Sequence, residues 1–469
     1  MSCTYDMVIT GGRVPVFSTG ALKRTSLGIA DGKIVAVVPA DDTAATEKLL
    51  REAGEVVDAD GHVVSPGFID IHMHEENISE TDDYLIGRYM VRMGVTSCLC
   101  GNCGESPQTF EEFSAWVRSK GGAPTNYLVL AGYNDYRHMQ GPGTYDAATP
   151  EQQRATQELV RRELEAGCVG VSFGLEYDPG ITTQEMTDAV RAVTDLDPFV
   201  SIHFREDCTG AIASLEEMAQ LSRDTKVPVE VSHLSSLAGY GYMDEALDFI
   251  RKEMAENPLF GYDTYPYNAF CTTLGSAVFD VDWRAKWGCD YDAILFQYPP
   301  YRGQRATREA YEEMREKEPE QTVVCFAMKP AEIGAAVVEP LGFICSDGGV
   351  YDGECHPRAA GTFPRVFSQY VRGTKSLSLM DALEKMTIKA ARRIGIDAHK
   401  GSIEVGKDAD LVIFDPETIE DRSTFEEATL SPVGIDRVIV DGTTVVLNGK
   451  DTGALPGRVL TRADVKRSY

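Results

Sequence analysis

Positive charge is scarce in this 469-residue chain: 45 Lys and Arg stand against 73 Asp and Glu, a formal net charge of −28. So acidic a surface repels a phosphate backbone and an anionic bilayer, which excludes nucleic acid and membrane as general partners. Long apolar runs are missing as well; none approaches the roughly 20 residues that cross a bilayer. The first residues, Met1-Ser2-Cys3-Thr4-Tyr5-Asp6, lack the basic stretch leading into an apolar one that marks a secretory leader. A soluble, cytoplasmic protein is therefore expected. The 11 cysteines are odd in number and irregularly spaced, unlike the framework of a small disulfide-bonded secreted domain. Reduced thiols are expected, some of them available to a metal. With 43% apolar and 25% charged residues, the chain has material for a large core and no signature of disorder.

Residues 5–10, Gly11-Gly12, 26–30, Asp31-Gly32 and 33–38 read as short strands joined by tight turns. The pattern returns at 409–414, 437–440, Asp441-Gly442 and 444–447. Together the two ends, 1–63 and 398–469, are expected to build one small β-sandwich domain. Between them, short apolar strands alternate with amphipathic helices such as 151–165, closed by Gly167, and 211–223. Alternation of this kind implies a parallel sheet. Candidate strand ends fall at His74, Cys103, Ala131, Phe173, His203, His233, Tyr265 and Asp347. Five of the seven gaps between them are nearly equal, each close to the length of one strand with its crossover helix. That is the rhythm of a repeated strand-helix unit, and eight units over 64–397 predict an α/β fold, a TIM-type (β/α)8 barrel.

The gap from Tyr265 to Asp347 is more than twice as long as those five. It breaks the rhythm and marks an insertion, 275–335, between strands 7 and 8. The insertion contains Trp283, Trp287, Tyr298-Pro299-Pro300-Tyr301, a charged helix near 306–318 and an apolar stretch at 323–326. Segments this long inside a compact domain are usually functional. Two roles are open for it: a lid beside the site, or a peripheral element that builds a homo-oligomer.

Strand side chains alternate faces, so His72 and His74 in Asp70-Ile71-His72-Met73-His74 point to one side and can share an ion at a barrel mouth. Alone, such a pair is as well explained by structural histidines. The context changes that. His203 and His233 lie one strand-helix repeat apart at two further strand ends, and Asp347 in Ile344-Cys345-Ser346-Asp347-Gly348 closes the last. Four of only eight histidines thus gather with a carboxylate at the face where barrel enzymes do their chemistry. Imidazole and carboxylate suit Zn²⁺ or a similar borderline ion, and a further donor would allow one or two ions. Cys103, in Cys98-Leu99-Cys100-Gly101-Asn102-Cys103-Gly104, can supply it. Cys100 and Cys103 also have the spacing of a redox pair or half a zinc knuckle, and Cys98 and Cys100 read as packing residues of one strand face.

These residues, with Gly401-Ser402-Ile403-Glu404-Val405-Gly406-Lys407-Asp408-Ala409-Asp410-Leu411-Val412 after the barrel, resemble the amidohydrolase superfamily. More narrowly, the chain resembles the N-acyl-D-amino-acid deacylases, or D-aminoacylases, over nearly its full length. Gly101-Asn102-Cys103-Gly104 is the most specific element, because that subgroup has a cysteine where many relatives carry a carboxylated lysine. The resemblance implies a zinc-dependent hydrolase of the amide bond of N-acyl-D-amino acids, a small-molecule substrate. It implies that Cys103, His203 and His233 hold the tighter zinc, that His72, His74 and Asp347 form a second site sharing Cys103, and that Asp347 transfers protons. Tyr265 and Arg358 match positions that bind the substrate carboxylate.

Three positions depart from the family pattern. His233-Leu234-Ser235 stands where His-Lys is common, Gly132-Tyr133 where Gly-His is common, with Arg137 at the expected offset, and Cys271 replaces a small hydroxyl residue. These changes are expected to remodel the pocket. They leave a second enzymatic possibility, a cyclic-amide hydrolase (hydantoinase- or dihydropyrimidinase-like) or a deaminase of the same superfamily, and a third of another class, a non-catalytic binding protein.

Overall fold

The computed structural model describes residues 4–74, 77–78, 82–106 and 108–467; the first three residues, on which the expectation about a leader partly rests, lie outside the described residues. The chain opens with strands β1 (Tyr5–Val16), β2 (Ala21–Ala30), β3 (Lys33–Pro39), β4 (Ala53–Asp58) and β5 (Val63–Pro66). Asp31 and Gly32 both adopt left-handed backbone, φ 50° and 72°, the primed turn that suits the right-handed twist of a hairpin. The sheet thus reaches Pro66, past the expected boundary at 63.

Eight parallel strands then form the barrel: β6 (Phe68–Asp70), β7 (Val95–Cys100), β8 (Asn126–Gly132), β9 (Gly170–Gly174), β10 (Phe199–His203), β11 (Val229–Val231), β12 (Phe260–Thr264) and, after the insertion, a strand at Phe343–Ile344. The insertion carries β13 (Phe270–Thr273), β14 (Ile294–Phe296) and β15 (Thr322–Cys325), paired antiparallel in the order β13-β15-β14, so it starts ahead of the expected residue 275. The strand Phe343–Ile344 is then β16. Closure between β16 and β6 is made just beyond their ends, where Met73 pairs with Gly348 and the Asp347 amide donates to the His72 carbonyl at 2.8 Å. Asp70 reinforces that seam: one carboxylate oxygen accepts the amides of both His72 and Ser346, at 3.2 and 3.0 Å.

A short hairpin, β17 (Val350–Tyr351) and β18 (Glu354–Cys355), follows, and the chain returns to the first sheet through β19 (Leu411–Phe414), β20 (Ile435–Val440), β21 (Thr443–Leu447) and β22 (Lys450–Asp451). Both chain ends therefore share one nine-stranded sheet, with β19 antiparallel to β5. It encloses a core of its own, in which Leu27, Ile29 and Ile34 pack with Leu411, Ile413 and Ile439. Among the described residues no helix is long and apolar enough to cross a membrane.

Candidate metal centre

The barrel strands end earlier than the sequence pattern suggests. β6 stops at Asp70, β7 at Cys100, β11 at Val231 and β16 at Ile344, so His72, His74, Cys103, His233 and Asp347 stand on the turns that leave the strands. His203 alone among the six is the last residue of its strand. Three of these turns bend through left-handed backbone: Cys103 at φ 56°, His233 at 35° and Asp347 at 50°. Non-glycine residues visit that region at a cost, and such outliers cluster where a site needs a side chain aimed against the local preference. Glycine makes the space. A Cβ on Gly101 would lie 2.3 Å from the Leu130 carbonyl oxygen, and one on Gly174 would lie 2.2 Å from that of Cys103.

All six predicted ligands converge. Cys103 Sγ lies 3.4 Å from His72 Nε2, 3.6 Å from His233 Nε2 and 3.9 Å from His203 Nδ1, and the last two nitrogens are 3.0 Å apart. Asp347 Oδ1 lies 3.2 Å from His74 Nε2 and 3.5 Å from His72 Nε2. His72 thereby belongs to two groups that could each hold an ion, His72-Cys103-His233 and His72-His74-Asp347. Cys100 lies outside both groups: its thiol donates to the Leu128 carbonyl, and that of Cys98 to the Asn126 carbonyl.

Partners behind the cluster orient the rings. His72 Nδ1 meets Asp263 Oδ2 at 3.4 Å, His203 Nε2 meets Glu176 Oε2 at 3.2 Å, and His74 Nδ1 meets Glu105 Oε2 at 3.2 Å. Asp263 also accepts the His233 amide at 2.6 Å. Imidazoles with one nitrogen on a carboxylate and the other aimed at a common point have the arrangement of metal ligands. Their electrostatics agree. Burial opposes charge on Cys103, but His72, His203 and His233 outweigh it and hold the thiol well below its usual value. Burial likewise lowers His203, yet Cys103 and Glu176 raise it to about 9.

Asp347 is buried, and Arg358 Nη1 lies 2.8 Å from its Oδ2. Burial favours the neutral acid, but Arg358 and the surrounding histidines hold the carboxyl well below the ordinary range. The guanidinium sits 4.7 Å over the Tyr265 ring, whose hydroxyl is 2.7 Å from Ser236 Oγ. A cavity opens on His203, His233 and Asp347, walled by Phe204 and Tyr240 of the barrel and by Phe270, Cys271, Val278 and Trp287 of the insertion. The insertion thus lies beside the site. Of the three departures, Cys271 faces the cavity. Tyr133 instead packs on Phe173 and donates to the buried carboxylate of Glu185, which also takes Arg137 at 3.0 Å. Tyr133 and Arg137 therefore brace the third and fourth units and do not remodel the pocket.

Glu176, Asp263 and Glu105 went unremarked as site residues in the sequence. The one signal was position: each lies within a few places of the end of a barrel strand.

The amidohydrolase family matches residues 345–446. Along nearly its whole length the chain is similar to the D-aminoacylase of Alcaligenes xylosoxydans xylosoxydans, with 30% identity covering 98% of each chain. A solved D-aminoacylase with a binuclear metal centre superposes with a TM-score of 0.86 at 28% identity, covering 97% of this chain and 100% of that one. The N-acyl-D-glutamate deacylase of Bordetella bronchiseptica, solved with zinc and a phosphonate inhibitor, gives 0.83 at 29% identity, covering 97% and 99%.

Proposed function

This chain belongs to the D-aminoacylase family of amidohydrolases, and on that premise we propose that it hydrolyses N-acyl-D-amino acids to a carboxylate and a free D-amino acid. The observation that carries the proposal is the gathering of Cys103, four histidines and Asp347 at one barrel mouth, in two adjoining donor groups beside an aromatic-walled cavity. The donor set fits a metal: thiolate with imidazoles suits zinc, and His203 Nδ1 and His233 Nε2 face each other at 3.0 Å beside Cys103 Sγ. Cys103, His203 and His233 would hold one ion, and His72, His74 and Asp347 a second that shares Cys103. Zinc supplies Lewis acidity, polarising a carbonyl and bringing the acidity of water close to neutrality.

The chain's own groups do the rest. Asp347, kept charged by Arg358 and the histidines, takes the proton of the attacking water and returns it to the departing amine nitrogen. Arg358 receives the substrate carboxylate: its buried Nε has no hydrogen-bond partner among the described residues, and a planar guanidinium can hold a carboxylate by two parallel bonds. Tyr265, held by Ser236, is the platform that keeps the guanidinium in place. Phe204, Phe270 and Trp287 give the cavity its apolar walls. The ten described cysteines are all free thiols, which suits a reducing compartment, and a cytoplasmic location is part of the proposal.

The test is amine release by zinc-loaded protein from matched N-acetyl-D- and N-acetyl-L-amino acids, with hydantoin and dihydrouracil in the panel. Turnover confined to the D series is expected. Turnover of the cyclic amides alone would transfer the chain to the hydantoinase-like alternative.

A further inference from the structure

Glu176 stands just past the end of β9 and is buried against the metal centre. Both its oxygens are engaged. Oε2 faces His203 Nε2 at 3.2 Å, and Oε1 takes the ammonium of Lys286 at 2.9 Å. Lys286 belongs to the helix Trp283–Trp287 of the insertion. The same ammonium contacts Asp207 Oδ1, and Asp207 Oδ2 accepts the indole N–H of the adjacent Trp287 at 2.7 Å. A continuous chain of polar contacts therefore runs from the insertion through Lys286 and Glu176 to His203, and each carboxylate oxygen in it faces an ammonium, an imidazole or an indole of this chain.

A neutral imidazole carries one proton, and only its other nitrogen can bind a metal. With a carboxylate against Nε2, the proton of His203 belongs there, and the lone pair of Nδ1 is left facing Cys103 and His233. The opposite tautomer would set a lone pair against Glu176 and aim an N–H into the donor cluster. Lys286 offsets the repulsion between two acidic side chains buried around one point, which holds Glu176 where His203 needs it.

We propose that Glu176 is a positioning residue that fixes the metal-binding tautomer of His203, and that Lys286 makes the insertion a determinant of metal affinity as well as a wall of the cavity. The proposal rests on the rim cluster being a metal centre. It is tested on the full chain by zinc affinity, measured in competition with a chromophoric chelator, and by the visible spectrum of the cobalt-substituted protein, with the melting of the metal-free forms recorded alongside. Glu176→Leu is expected to lose roughly 10- to 100-fold in zinc affinity, on the order typical of such outer partners, and to change the cobalt bands. Glu176→Gln, whose amide oxygen still accepts from Nε2, should stay within roughly threefold of wild type, and Lys286→Met should fall between. A folded Glu176→Leu with wild-type affinity and spectrum would overturn the assignment. So would Glu176→Gln failing as badly as Glu176→Leu. If Glu176→Leu does not fold, an unchanged affinity and spectrum in Lys286→Met overturn the link to the insertion. Wild-type protein that takes up no zinc would instead remove the metal centre itself.

Discussion

Two buried polar clusters sit at opposite ends of the barrel, and they are built on opposite rules. At the end where the strands begin, Lys400 lies between Asp408 and Asp410, at 2.9 and 2.5 Å, Lys33 closes on Asp408 from the first hairpin, and Asn126 and the Asp441 amide complete Asp410. Every group there faces one of opposite kind. At the mouth, nitrogen faces nitrogen: His203 Nδ1 and His233 Nε2 are 3.0 Å apart beside a thiol. Protons can satisfy such a set only in part, since lone pairs converge on a single point. A buried cluster that satisfies itself holds domains together; one whose acceptors all look inward is shaped for an ion from outside.

The contrast predicts that damage at the mouth costs chemistry and damage at the base costs stability. The largest effect is expected from Asp347→Asn, which should lower turnover of the folded protein by about 10²- to 10⁴-fold, while the urea midpoint falls only as far as the lost charge opposite Arg358 requires. Single-turnover rates beside an unfolding curve measure both, and near-normal turnover would take Asp347 out of proton transfer. Next is Lys400→Met. Breaking a buried, hydrogen-bonded pair costs about 3–5 kcal/mol, seen as a lower urea midpoint, while kcat/KM of the folded fraction should hold; lost catalysis in folded protein would show that the two clusters are not independent. The smallest is Arg358→Lys. Losing the two-pronged contact should raise KM about tenfold for acyl amino acids but not for an N-acyl amine without a carboxylate, and equal changes for both would assign Arg358 to Asp347 alone.

The same contrast explains what could be read in advance. The barrel was legible because strand-helix alternation and the even spacing of strand ends are local properties. The six candidate ligands were legible because that rhythm delivers residues at strand ends to one mouth. The exact strand ends were not, since the turns at Cys103, His233 and Asp347 use backbone that no side-chain pattern announces. The segment 401–412 was recognisable by resemblance, but its role emerges only in three dimensions: Asp408 and Asp410 receive Lys400, the Ile34 amide donates to the Lys407 carbonyl and the Gly67 amide to that of Asp410. Those bonds join the sheet to the first barrel strand.

Residue order alone decided the kinds of donor and the end of the barrel at which they gather, because donor chemistry belongs to the side chain and strand-helix rhythm to its neighbours. Tertiary structure decided which nitrogen of His72 and of His203 faces the cluster. That choice depends on the carboxylate behind the ring: Asp263 reaches His72 from a strand on the far side of the chain's order, and Glu176 is tied to a lysine of the insertion. No local pattern carries such pairings, because only the closed barrel and its insertion bring the atoms within bonding distance.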